Sequence, residues 1–273
     1  MAYVISSISM KGGVGKTTSV LCLGTGLADR GKRVLLVDLD AQGSLSIAMG
    51  CDYPEQKSIT MAEILQEQKD TQRNRKVSEG ILSVSESLDY LPANRKMALV
   101  EQELVLTKEG EHLLGYFLDA LSVCGKSYDY ILLDCPPSLG MITVNALIAS
   151  NGVLIPTQAE YLAAKGMEQL LQMVIQVQHK WNPKLSILGI LPTMVNPYTN
   201  DGKKVLNLLE DTYGESIGIL PKIPYSVRAK EISSQRKNIY QLDKGGKVAK
   251  AYLQLVSEIL ALTEMVETGG REG

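Results

Sequence analysis

Ser9-Met10-Lys11-Gly12-Gly13-Val14-Gly15-Lys16-Thr17-Thr18 stands between an apolar run, Tyr3–Ile8, and a segment of helical period, Thr17–Arg30. Closely spaced glycines let successive backbone N–H groups turn inward around phosphate oxygens, and the helix that follows adds its partial positive charge. Lys16 then reaches the β- and γ-phosphates of a nucleoside triphosphate, and the Thr17 hydroxyl holds Mg²⁺. Gly12, Gly13, Val14, Gly15 and Thr18 complete the cradle. A strand, a glycine loop and a helix in this order already predict an α/β fold.

Outward from the loop the same alternation continues. Val34–Val37, Tyr130–Leu133, Gly152–Ile155 and Ser186–Leu191 read as further buried strands, each ending at a polar or Gly/Pro break. Met61–Gln68, Glu111–Val123, Leu162–Gln178 and Val205–Thr212 carry helical periodicity; Met167, Leu170, Leu171, Val174 and Val177 mark one face of the third. Strands buried on both faces and joined by helices predict a doubly wound, mostly parallel sheet flanked by helices, of the P-loop NTPase type. The polar stretch Gln66–Gly80 lacks apolar periodicity and is expected to be an exposed loop or helix end. Residues 1–267 read as a single domain, with 268–273 a frayed tail.

Composition narrows the class. The chain has 273 residues, 45% apolar and 21% charged, which excludes a wholly disordered chain. A chain of this size buries about three quarters of its unfolded surface and needs no covalent staples. With twelve Tyr, one Phe and one Trp, the core must rest on Leu, Ile, Val, Ala and Met. Cys22, Cys51, Cys124 and Cys135 form no C-x-x-C pair and are read as buried free thiols in a reducing compartment. No basic n-region with a long apolar h-region opens the chain, and no membrane-span-length apolar run occurs, so a cytoplasmic location is expected. A formal charge of −2 argues against a strongly basic nucleic-acid binder, yet it is an average. Residues 222–250 hold eight Lys/Arg against two carboxylates, a net +6, which leaves −8 for the remainder.

Two aspartates end apolar runs and are equally suited to hold a magnesium ion: Asp38, after Val34–Val37, and Asp134, after Tyr130–Leu133. Asp38 also fits a purely structural anchor at its strand end. Neither is followed by a glutamate that would act as a strong base, so slow hydrolysis is expected.

The phosphate loop departs from G-x-x-x-x-G-K-[ST] by carrying Met10 at the first glycine and an extra lysine, Lys11. This KGGVGKTT form resembles the deviant loop of the ParA/MinD group of NTPases. Asp38–Ser44, Asp134–Gly140, Pro156–Tyr161, Leu191–Met194 and Ile223–Arg228 extend the likeness to the ParA/Soj-type partition ATPases over almost the whole chain. The resemblance implies ATP and Mg²⁺ as cofactors and an ATP-dependent homodimer in which Lys11 contacts phosphate across the interface. It also implies that Asp40 positions the attacking water, that Asp134 supplies the magnesium carboxylate, and that Pro224 borders the adenine. Further implications are non-specific double-stranded DNA binding by the dimer, hydrolysis stimulated by a ParB-type partner, and a nucleoid-associated location. Only ten residues precede Lys11, too few for the N-terminal helix-turn-helix domain of larger relatives.

For DNA the resemblance points to Arg228 and to an arginine that Tyr198 replaces here, with Lys203 and Lys204 beside it as substitutes. Lys230, Lys247 and Lys250 add to the same basic stretch; backbone phosphates need only such a local array. A MinD-like membrane-cycling ATPase is the nearest alternative. Val248, Tyr252, Leu255, Ile259, Leu262 and Val266, however, form a core stripe on a last helix whose end is acidic, so no membrane partner is expected. A nucleotide-gated protein that positions a cargo other than DNA is the second alternative.

Overall fold

In the computed structural model, residues 2–71, 77–158, 163–196, 200–235 and 237–269 are described. The first half runs β1 (Tyr3–Ser7), α1 (Lys16–Asp29), β2 (Val34–Asp38), α2 (Ser44–Ala48), α3 (Met61–Thr71), α4 (Val77–Gly80), β3 (Leu82–Ser85) and β4 (Leu88–Leu91). It continues with α5 (Met97–Leu104), α6 (Leu113–Val123), β5 (Tyr130–Asp134), α7 (Met141–Ala149), β6 (Gly152–Gln158), α8 (Ala163–Lys180) and β7 (Ser186–Thr193). Then follow α9 (Asn200–Tyr213), three four-residue helices α10 (Val227–Lys230), α11 (Ile232–Gln235) and α12 (Ile239–Leu242), and α13 (Lys247–Gly269).

One seven-stranded sheet has the order β3-β4-β2-β5-β1-β6-β7, parallel throughout except for the β3–β4 edge pair. The sequence reading finds the five parallel strands of highest apolar content. It misses β3, whose side chains are largely exposed, and β4, where Asp89 interrupts the apolar pattern.

Alternate strand residues feed two cores, as a period of two demands. Leu35, Val37, Ile131 and Leu133 face one cluster with Phe117, Ile142 and Met167; Leu36, Tyr130 and Leu132 face another with Leu23, Tyr252 and Ile259. On that second face α1 lies against the sheet because Gly24 lacks a side chain: a Cβ there would sit 2.4 Å from Leu36 Cδ2. The C-terminus of α1 is closed by Gly31 at φ 79°, with Gly31 N–H donating to Ala28 O and Lys32 N–H to Leu27 O. The α13 stripe is buried at Val248, Tyr252, Leu255 and Ile259, as its spacing predicts.

Two expectations need correction. Gln66–Gly80 does hold a helix end, that of α3 at Thr71, but it is not exposed throughout: Gln68 is buried, and Val77 and Gly80 close against the core, with 72–76 outside the described residues. Polar composition misled here because an isolated Val between charged residues leaves no period to read. Of the four thiols, Cys22, Cys51 and Cys135 are buried but Cys124 is exposed, at the C-cap of α6.

Candidate nucleotide-binding site

Central strand β1 pairs with β5 on one side and β6 on the other, so the chain leaving Ser7 enters the crevice at the carboxyl ends of the strands. Open parallel sheets bind ligands at such a switch point. Gly13 and Gly15 take φ of 75° and 82°, where a β-carbon is strained. A Cβ added at Gly12 or Gly13 meets no atom within 4 Å, which leaves room for phosphate oxygens. Three of the loop's carbonyls are held by the protein. Ser9 Oγ donates to Lys11 O at 3.1 Å, and Gly15 O accepts from Ser19 N–H at 2.9 Å and Ser19 Oγ at 2.8 Å. Val14 O accepts from Thr193 Oγ1 at 2.6 Å. Carbonyls tied in this way leave amide N–H groups as the donors available to an anion.

Lys16, the first residue of α1, is only 7% exposed, and its Nζ stands 3.6 Å from Asp134 Oδ1. That distance is an ion pair and too long for a hydrogen bond. Asp134 is fully buried and neither of its carboxylate oxygens completes a hydrogen bond among the described residues. Burial raises its pKa, while the Lys16 charge and the adjacent Thr17 hydroxyl act the other way. A buried carboxylate with unmet acceptors remains costly even beside one lysine, and a second cation would offset that cost. Magnesium, which prefers a carboxylate, a hydroxyl and ligand oxygens to an all-protein cage, fits that need. No three His, Cys, Asp or Glu side chains converge on a metal position among the described residues.

The two candidate aspartates differ sharply in their partners. Asp38 pairs in register with Asp134, but its carboxylate is fully engaged. Oδ1 accepts from Asp40 N–H at 3.1 Å, and Oδ2 accepts from Ser46 N–H at 2.8 Å and Ser46 Oγ at 2.7 Å. Ser46 Oγ in turn accepts from Ala93 N–H at 3.0 Å. Burial, and then the Asp134 charge, push Asp38 up to about 7 against those donors. Asp38 therefore anchors its loop, whereas Asp134 has the Lys16 ammonium and the Thr17 hydroxyl beside it and no backbone donor among the described residues.

Asp40 is half-buried and turns the following loop: Gln42 N–H donates to its Oδ1 at 2.9 Å and Gly43 N–H to its backbone O at 2.9 Å. Its charge reaches Asp134 and contributes to raising that carboxyl. Thr17 and Thr18 are half-buried at the helix start, and Lys11 is exposed on the loop. An apolar cleft of ≈ 230 Å³ flanks Met10 and Lys11 on the side of Pro156, Met167 and Leu170. Its lining includes Val14 but none of Gly12, Gly13 and Gly15. Pro224 is half-buried beside the end of β7, where Val195 N–H donates to Ile223 O and Tyr225 N–H to Val195 O, both at 3.0 Å.

The described basic candidates contrast with these buried groups in their exposure. Lys204, Lys247 and Lys250 are exposed, the last two at the start of α13. Arg228 is exposed too, but its Nη1 donates to Leu242 O at 2.9 Å and meets Asp243 Oδ1 at 3.2 Å, closing the end of α12. The side chains of Lys203 and Lys230, and Tyr198 altogether, lie outside the described residues. Thr193 and Ser46 were not picked out singly from the sequence; nothing local distinguishes them from any strand or helix hydroxyl.

Comparison with known proteins agrees with this geometry. A family profile described as an AAA domain, AAA_31, matches residues 2–187. The sporulation initiation inhibitor protein Soj of Bacillus subtilis is 39% identical over 262 residues, 96% of this chain and 99% of its own. The chromosome partitioning protein ParA of Caulobacter vibrioides is 33% identical over 258 residues, 94% of each. Among solved structures, cobyrinic acid a,c-diamide synthase from Mycobacterium smegmatis, with an ATP analogue and magnesium bound, superposes with a TM-score of 0.74. It shares 34% identity and covers 91% of this chain and 98% of its own.

Proposed function

The chain belongs to the AAA_31 domain family together with the Soj and ParA partitioning ATPases, and from that premise we propose that it segregates DNA by an ATP-driven cycle. It is a P-loop ATPase that uses ATP and Mg²⁺. In the cycle proposed here it dimerises on ATP, binds double-stranded DNA without sequence preference, and is released after slow hydrolysis stimulated by a ParB-type partner. Residues 1–267 act as one domain.

The observation that carries the reading is the buried Asp134 beside Lys16 and Thr17, at the residues that follow the glycine loop. Lys16 holds the β- and γ-phosphates, the glycine-loop amides line the remaining oxygens, and Pro224 borders the base. Thr17 and Asp134 hold Mg²⁺, which when bound neutralises charge on the phosphates. Asp40, steered by Asp38 through its backbone N–H, orients the attacking water. Charge that builds on the transferred phosphoryl group is met by Lys11 of a second copy, so that dimerisation completes the site. The DNA contacts fall to Lys204, Lys247 and Lys250 with Lys203, Lys230 and Arg228, which need only reach backbone phosphates.

A membrane-cycling role is less well supported. The apolar stripe of α13 is buried against α1, and Glu258 and Glu264 face out. No helix among the described residues is long and apolar enough to cross a membrane.

Turnover of ATP, measured alone, with plasmid DNA and with the partner, tests the cycle. Stimulation by the partner and DNA binding confined to the ATP state are expected. ATP-loaded protein that ignores DNA at low salt removes the DNA step while leaving the ATPase assignment in place.

A further inference from the structure

Thr193, the last residue of β7, holds the phosphate loop from a strand far away in the chain. Its Oγ1 lies 2.6 Å from Val14 O and 3.2 Å from Thr157 O, so its single hydroxyl proton goes mainly to Val14. Val14 stands between Gly13 and Gly15, the two residues whose left-handed backbone turns the loop. The other anchored loop carbonyls, of Lys11 and Gly15, are held by Ser9 and Ser19, which are neighbours in sequence. The Val14 anchor comes instead from 179 residues away.

The methyl of Thr193 has a separate contact. A Cβ built on Gly15 would lie 3.8 Å from Thr193 Cβ and Cγ2 and from Met194 Cε, so these atoms form the wall behind the last loop glycine. Met194 itself sits at φ 51°, a left-handed conformation that a side chain such as methionine seldom takes. Strained residues of this kind persist where the surroundings over-determine them. Here the chain on either side is pinned. Ile223 N–H donates to Pro192 O at 2.8 Å, Val195 N–H to Ile223 O at 3.0 Å, and Tyr225 N–H to Val195 O at 3.0 Å. Two residues beyond Tyr225 begins α10, which carries Arg228.

We propose that Thr193 is a positioning residue: its hydroxyl fixes the Val14 carbonyl outward so that the loop amides face the phosphates, and the pinned Pro192–Val195 strand end ties the occupied loop to the basic segment beginning at Tyr225. The first half of this statement concerns the ATPase site alone. The second rests on the DNA-binding reading given above.

The two contacts of Thr193 can be separated by substitution. Thr193→Val keeps the methyl and removes the donor; Thr193→Ser keeps the donor and removes the methyl. The probe is a fluorescent ATP analogue, followed by steady-state ATP turnover and by binding of duplex DNA in the ATP and ADP states, with thermal melting of the nucleotide-free protein as the folding control. T193V is expected to weaken analogue binding and raise KM about tenfold, the effect of one well-placed hydrogen bond, with kcat changed far less. T193S is expected to stay within about threefold of the parent, because it keeps the donor and gives up only a few weak dispersion contacts behind Gly15 that touch no ligand. The ratio of DNA affinities in the ATP and ADP states is expected to shrink in T193V and be retained in T193S.

Unchanged ATP affinity in T193V, or equal impairment in T193S, overturns the positioning role whatever DNA does. A full ATP-to-ADP ratio in T193V with weakened ATP affinity overturns the coupling alone. Failure of the parent protein to bind DNA removes the premise of the second half and leaves the first to be judged on ATP. Should T193V not fold, Thr193→Cys, with a weaker donor of similar size, replaces it, and parental ATP affinity in that variant overturns the proposal.

Discussion

The phosphate end of the sheet and the basic segment 222–250 are both expected to meet phosphate groups, yet they are built on opposite principles. At the phosphate end the ionic groups Lys16, Asp38 and Asp134 are buried, and the backbone around them is tied to three different strands. Segment 222–250 consists mainly of three four-residue helices and the first turn of α13, with its described lysines exposed. Transition-state chemistry requires charge at a fixed point in a low-dielectric site, whereas a DNA backbone offers repeating phosphates that a loosely arranged array can grip. Position is the commodity at one end and display at the other. Substitutions should therefore act in different ways at the two ends.

The largest effect is expected from Lys16→Ala. Removing the buried ammonium leaves Asp134 without its ion-pair partner and the phosphates without their clamp, so ATP turnover should fall by about a hundredfold or more. Parental turnover in that variant would erase the distinction drawn here between the two ends.

A smaller and more graded effect is expected at the basic segment. Lys247→Glu together with Lys250→Glu should lower DNA affinity on the order of tenfold and reduce the salt slope by about two, with ATP turnover in the absence of DNA unchanged. These lysines are better probes than Arg228. Because Arg228 closes the end of α12 through Leu242 O and Asp243, Arg228→Glu would place two carboxylates together and mix local unfolding with lost DNA contact. Unchanged DNA affinity in the double variant would move the DNA surface elsewhere on the molecule.

The smallest effect is a control on whether burial alone distinguishes the ends. Glu63 lies away from both, at the third position of α3, where Thr60 N–H and Oγ1 donate to its Oε2 and Lys96 Nζ lies 2.6 Å from Oε1. Burial pushes its carboxyl upward, but the Lys96 and Thr60 bonds outweigh it and leave the pKa lowered. A lowered carboxyl stabilises the fold above its unfolded pKa, and that contribution fades as pH falls through the folded value. Glu63→Gln should thus cost about 1 kcal/mol in urea denaturation near pH 7, the modest figure reflecting the half-exposed lysine. The difference should begin to shrink as pH falls past the ordinary glutamate range of about 4.3 and close only beneath the lowered folded value, where the parental glutamate is itself protonated. ATP turnover per folded molecule should not change, in contrast to Lys16→Ala.

How much of this was readable beforehand depends on whether the determining residues are neighbours in the chain. The glycine loop is contiguous, its backbone demands are local, and Ser9 to Thr18 therefore announced the strand, the loop and the helix together. Central strands carried unbroken apolar runs because both faces are covered; edge strands β3 and β4, partly exposed, did not. The α13 stripe was visible since one face of a long helix packs on α1. Gln66–Gly80 was read rightly as a helix end but wrongly as exposed, because Gln68, Val77 and Gly80 are buried by elements that no local pattern reveals.

By itself, then, the sequence determined the phosphate loop, the α/β alternation, the core stripes and the hidden charge imbalance, all of which are properties of short spans. The resemblance already pointed to Asp134 over Asp38; only the tertiary structure shows how differently the two are partnered. Both end apolar strands and lie side by side, but one meets Ser46 and Asp40 donors while the other meets Lys16 without a hydrogen bond. It also decided that Thr193 braces Val14 and that Arg228 closes a helix. A hydrogen bond is short-ranged and directional, so its partner is set by which strand ends the sheet brings together and by nothing in the residues on either side.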